Sequence, residues 1–94
     1  MALKTTLWDA AEYLESPEAI AGYLEAAFEE GDPALIAAAL GDVARAMGMT
    51  ELAGKAGVTR EALSKALSPT GDPRLSTFIG VMKALGIKLT PRAA

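Results

Sequence analysis

The chain has 94 residues, 51% of them apolar, with 9 basic and 12 acidic side chains and neither cysteine nor histidine. One domain of modest core is the limit for this length, with no room for a large cofactor cavity, so no cofactor is expected. Lacking thiols and imidazoles, it has no disulfide, no thiolate metal site and no Cys or His catalyst, which excludes Ser-His-Asp, Cys-His and most zinc chemistry.

The longest unbroken apolar run, Ala34 to Leu40, is seven residues, against the roughly 20 of a spanning helix. The first residues, Met-Ala-Leu-Lys-Thr-Thr-Leu-Trp, lead into Asp9 and Glu12 without the apolar core of a secretory signal. A cytoplasmic protein with no membrane contact is the expectation.

Helix punctuation is frequent along the chain. Asp9, with Glu12 three residues on, fits a capping box opening a short helix through Leu14. Ser16 then supplies an N-cap and Pro17 a first helical residue. Gly31 closes this helix, whose apolar stripe is Ile20, Tyr23, Leu24, Ala27 and Phe28. Asp32-Pro33 repeats the same logic for a helix carrying Ile36, Leu40, Val43 and Met47 at helical spacing and ended by Gly48.

Thr50 opens a short helix through Ala56, Gly57-Val58 turns the chain, and Thr59 caps a further helix to about Leu67. Ser68 to Pro73 is a loop by composition. A last helix shows Phe78, Val81, Met82 and Leu85 before Gly86, and Ile87-Lys88-Leu89-Thr90 alternates as a short C-terminal strand would. The expected fold is all-α: one domain over 1–94, a compact bundle of about five to six short helices with that strand as an appendage.

Charge divides the chain. Residues 1–48 hold Lys4 and Arg45 against nine carboxylates, a net −7, whereas residues 49–94 hold seven basic and three acidic side chains, a net +4. A basic half suits a polyphosphate partner, because each cation placed on a phosphate releases a condensed counterion. An acidic half suits a basic protein. Solvated helix faces would carry the same charges with no partner at all.

From Leu52 the chain reads Leu-Ala-Gly-Lys-Ala-Gly-Val-Thr-Arg-Glu-Ala-Leu-Ser-Lys-Ala-Leu, which resembles the helix-turn-helix of the Cro/repressor-like (XRE, lambda-repressor-like) DNA-binding domains. Ala53 is small where a second helix crosses, Gly57 reaches the left-handed conformation of a sharp turn, and Val58 and Leu63 face inward. On that resemblance Arg60, Glu61, Ser64 and Lys65 face base edges in the major groove. Arg60 can fork onto guanine, Glu61 can accept from cytosine or orient Arg60, and Lys65 can reach guanine or phosphate. Thr50, Thr59, Ser68 and Arg74 complete the candidate DNA-binding set, as helix-start or loop groups suited to phosphate. The opening Thr50-Glu51-Leu52-Ala53 is shorter than in many such domains and places an acid where a phosphate contact is common.

Asp9-Ala-Ala-Glu-Tyr-Leu, Gly31-Asp-Pro-Ala-Leu-Ile, Met49-Thr-Glu-Leu-Ala, Lys65-Ala-Leu-Ser-Pro and Lys83-Ala-Leu-Gly together resemble the small HigA-type addiction-module antidotes over nearly the whole chain. The resemblance implies an antitoxin of a type II toxin-antitoxin module. Such a protein binds double-stranded operator DNA as a homodimer, represses its own operon, and neutralises a small basic toxin of the RelE/ParE-like type. The acidic segment, with Glu12, Glu15, Glu18, Glu25, Glu29 and Glu30 and the apolar Trp8, Tyr13 and Tyr23, then holds the candidate toxin contacts. For the dimer, the candidates are the last helix around Phe78, Val81 and Met82, where ordinary core is the competing role, or edge pairing through Ile87 and Leu89.

A free-standing XRE-type transcriptional regulator keeps the DNA site without a toxin. A protein-interaction module keeps the fold without DNA. An enzyme is not expected, since the carboxylates are not paired across a pocket and no glycine-rich phosphate loop follows a strand.

Overall fold

Helix ends along this chain are written in serine, aspartate, threonine, proline and glycine, and the computed structural model, which describes residues 16–94, has five helices cut at those residues. Helix α1 runs Pro17–Glu30, α2 Pro33–Met47, α3 Met49–Ala56, α4 Arg60–Ala66 and α5 Leu75–Ala84. The capping box at Asp9 and the helix expected through Leu14 lie outside the described residues.

Two of the starts are built alike. The Ser16 hydroxyl accepts from the Ala19 amide at 3.1 Å and the Asp32 carboxylate from the Ala34 amide at 3.0 Å, each followed by a proline whose missing N–H is no loss in the first turn. Helix α3 begins differently from the expectation. Its cap is Gly48, which also ends α2, and no side chain bonds the first turn. Thr50 is therefore already helical and caps nothing.

The five helices share one core. Helix α3 packs against α2, α4 and α5, and α1 packs on α2. Ile20 and Leu24 of α1 meet Leu40 and Val43 of α2, Leu52 and Ala53 of α3, Leu63 of α4 and Val81 and Met82 of α5 in a single apolar cluster. Phe28 stacks on Phe78 with ring centroids 6.3 Å apart, tying α1 to α5. Of the stripe expected on α2, Met47 is the exception, 43% exposed at the last turn.

Helix α2 also receives the chain at Gly41, where any Cβ would strike the Leu67 carbonyl just past α4. A buried glycine in mid-helix costs helix propensity, and here it makes room for that carbonyl.

In the C-terminal half one choice between roles is decided and one expectation is corrected. Of the two roles open to Val81 and Met82, ordinary core is the one observed, at 0% and 2% exposure. No strand forms at Ile87–Thr90 or anywhere else among the described residues. Ile87 donates its amide to the Met82 carbonyl at 2.8 Å, closing the end of α5, and beyond it no neighbouring strand lies within the described residues to complete a ladder.

Candidate nucleic-acid interface

The turn between α3 and α4 takes three residues. Gly57 adopts the left-handed conformation at φ 78° and closes α3 through its amide, and Val58 donates to the Ala53 carbonyl at 3.0 Å. Thr59 is extended, and its hydroxyl accepts from the Ala62 amide at 3.0 Å. This hydroxyl starts α4 at Arg60 and so sets which residues face inward.

Inward are Leu63 and Leu67, both fully buried. Outward are Arg60, Glu61, Ser64 and Lys65, all exposed. At about 100° per residue, Glu61 and Lys65 lie nearly opposite Leu63, while Arg60 and Ser64 lie about 60° and 100° round from it on one side, Arg60 at the edge of the buried stripe. The four side chains expected to meet base edges are all exposed on one short helix held by Leu63 and by Leu67 at its end, Glu61 and Lys65 on the outermost line and Arg60 at the margin of the buried stripe in the first turn.

The other candidates are placed unevenly. Thr59 is exposed, with its hydroxyl engaged in the cap. Thr50 is exposed on the first turn of α3. The Ser68 hydroxyl donates to the Lys65 carbonyl at 2.8 Å and lies 3.4 Å from the Thr70 hydroxyl, so it is spent on the end of α4. Arg74 is exposed at the start of α5 and lines a shallow groove whose other wall is Ala62 and Ala66 of α4. That groove also brings in Ser76 and Thr77, two hydroxyls of the first turn of α5 that the sequence reading did not single out. The run Pro73-Arg-Leu-Ser-Thr at a helix start was the available signal.

The cations of this surface form no close ion pair among the described residues, although Glu61 lies on α4 itself and Asp72 lines the same groove as Arg74. The ion pairs among the described residues are Arg45 with Asp42 at 2.7 Å and Lys55 with Glu51 at 3.6 Å. Arg60, Lys65 and Arg74 join neither. Glu51, the acid noted at the short start of α3, is answered by Lys55 one turn along, which reduces its repulsion toward an approaching phosphate.

The acidic half is organised separately. Glu18, Glu25, Glu29 and Glu30 are exposed on α1 and Asp32 is exposed at the cap of α2, whereas Glu12, Glu15, Trp8 and Tyr13 lie outside the described residues. Tyr23 is half-buried between α1 and α2, donating its hydroxyl to Asp42 Oδ2 at 3.0 Å, while Arg45 donates to Oδ1 of the same carboxylate. Burial raises the Tyr23 phenol above its ordinary value, the hydrogen bond and charge of Asp42 add to the rise, and Arg45 opposes it.

Comparison with known proteins gives a consistent family. The model of a family described as probable addiction module antidote proteins matches residues 4–93. A protein of Haemophilus influenzae, described only as uncharacterized, is 48% identical over 81 residues, which is 86% of this chain and 84% of the relative. No solved structure matches.

Proposed function

The chain belongs to the family of probable addiction module antidote proteins, and from that premise we propose that it is the DNA-binding antitoxin of a type II toxin-antitoxin pair. In this reading α3 and α4 are a helix-turn-helix of the XRE type, and α4 enters the major groove of an operator. The observation that carries the reading is the division of α4 into a buried back, Leu63 and Leu67, and a wholly exposed front, Arg60, Glu61, Ser64 and Lys65. Any surface helix has a polar outer side; what favours a reading role here is that this one follows the tight Gly57-Val58-Thr59 turn and carries two cations, Arg60 and Lys65, that no ion pair among the described residues engages.

The roles follow from the chemistry. Arg60 carries a planar fork that matches guanine O6 and N7, Glu61 accepts from cytosine N4 or holds Arg60, and Lys65 adds a cation for guanine or phosphate. Arg74, with Ser76 and Thr77 beside it, is suited to the phosphate backbone flanking the groove. A seven-residue reading helix offers few contacts. Two copies on a palindrome with half-sites about 34 Å apart give the affinity one lacks.

The family implies a toxin as partner. Toxins of the RelE/ParE-like type are small and basic, and often cleave mRNA, which calls for a cationic surface; the carboxylates of α1 are the surface that complements it.

Mobility shift on the operator upstream of the gene tests the DNA reading. Arg60→Ala should cost about 1–3 kcal/mol and relax preference at one base position. Lys65→Gln should weaken cognate and random DNA more evenly and lower the salt slope by about one. Equal losses on both DNAs for Arg60→Ala would remove it from base reading, and undiminished binding by both variants would remove α4 from the interface.

A further inference from the structure

A broad, largely apolar depression lies far in sequence from α4, between α1 and the tail after α5. Phe28, Ile87 and Leu89, with the edges of the core residues Leu24 and Met82 at its floor, give it an apolar lining, and no residue of α4 contributes. Its two walls carry opposite charge: Glu18 and Glu25 on α1, Lys88 and Arg92 on the tail. None of these four takes part in an ion pair among the described residues. Leu89 is 39% exposed at the lip, and no backbone hydrogen bond among the described residues involves Lys88, Leu89 or Thr90.

We propose that this groove is the surface through which two copies of the chain associate, each laying its tail against α1 of the other. The charge layout selects that occupant. A two-fold axis brings each patch against its own copy, so a surface with an acidic wall and a basic wall is complementary to itself, whereas a uniformly charged partner would be repelled by one wall. The spacings agree as well. Glu18 and Glu25 are seven helical residues apart, about 10 Å along the axis. Lys88 and Arg92 are four residues apart, about 13 Å along an extended chain. Crossed pairing of the two acids with the partner copy's two cations is therefore within side-chain reach. The same contact covers Leu89 and gives the tail a neighbour for its backbone groups.

The inference rests on the dimer of the preceding reading and adds its surface. Because the lining excludes α4, both reading helices stay open to DNA in the pair.

Sedimentation equilibrium on the full chain, without DNA or toxin, is the test. The wild type should be a reversible dimer weakened by added salt. Leu89→Glu, Glu25→Lys and Lys88→Glu should each raise the dimer dissociation constant about tenfold, since symmetry enters every change twice. The decisive arm mixes the two charge variants. With Glu25 set against Lys88 of the other copy and Glu18 against its Arg92, a pair formed by one Glu25→Lys chain and one Lys88→Glu chain meets lysine with lysine nowhere and glutamate with glutamate nowhere, so an equimolar mixture should recover the wild-type constant. That recovery also shows that neither variant is misfolded.

A wild-type monomer, as expected if residues 1–15 or another protein fill the groove, overturns both this surface and the dimer it rests on. A dimer indifferent to all three substitutions, or one that mixing does not restore, overturns the surface and leaves the dimer standing.

Discussion

The helices on either side of Gly48 solve different problems. Before it, α1 and α2 are long, 14 and 15 residues, each with a side-chain cap and a proline at its start, and the exposed charges of α1 are all acidic. After it, α3, α4 and α5 have 8, 7 and 10 residues, only α4 has a side-chain cap, and the net charge is positive. Short helices are marginal alone and depend on tertiary packing, whereas long capped ones carry more of their own stability. The basic half is thus held in shape by the acidic half. The two are distinct as surfaces and inseparable as a core, since Ile20 and Leu24 sit in the same cluster as Leu63 and Val81.

That contrast can be broken first at the core. Leu63→Ala empties a fully buried site and should cost about 2–5 kcal/mol, read by urea denaturation. If the core is common to both halves, the transition remains single and α1 is lost together with α4. Two separate transitions would show that the halves fold independently.

The surfaces can then be separated. Reversing Glu29 and Glu30, both exposed at the end of α1, should lower capture of the toxin encoded beside the gene by about tenfold, as for charges at an interface rim. Operator binding by the same variant should be unchanged at fixed salt. A loss of DNA affinity instead would place the acidic face in the DNA complex.

A smaller change sharpens the picture of α4 itself. Thr59→Ala removes the hydroxyl that holds the Ala62 amide and should cost about 1 kcal/mol of stability. Amide exchange should quicken in α4 before it does in α2. Equal acceleration in the two helices would mean that the cap does not act locally.

The least effect is expected at Tyr23. Its phenol is raised above the ordinary value, chiefly by burial and then by Asp42, so the folded state favours the protonated form. The contribution is complete below the unfolded value of about 10 and is lost as pH rises through the folded one. Tyr23→Phe should therefore flatten the alkaline limb of the stability profile above about pH 10, and at neutral pH it should cost only the one part-buried hydrogen bond to Asp42, about 0.5–1 kcal/mol. A wild-type profile already flat there would contradict the assignment.

Much of this architecture was legible because its boundaries are chemical. Ser16, Asp32 and Thr59 announce helix starts by their own hydrogen bonds, and Gly31 and Gly57 announce ends through a conformation other residues avoid. The exposed front of α4 followed from register once Thr59 was placed. What the sequence concealed depends on contacts distant along the chain. Thr50 looks like a cap, but Gly48 already closes α2 and opens α3. The alternation at Ile87–Thr90 is a strand pattern, yet a strand exists only when another lies beside it. Ser76 and Thr77 gained interest only when the loop from Ser68 to Pro73 carried α5 back against α4. The glycine at position 41 reads as a flaw in a helix until the Leu67 carbonyl is found pressed on it.

Gly48, shared by α2 and α3, leaves no slack between them. Adding one residue at that joint would change both the direction and the distance at which α3 leaves α2, pulling Leu52 and Ala53 out of register with the interior and shifting α4 with them. The junction therefore fixes a direction as well as a distance, and length differences between kindred antidotes should fall anywhere but there.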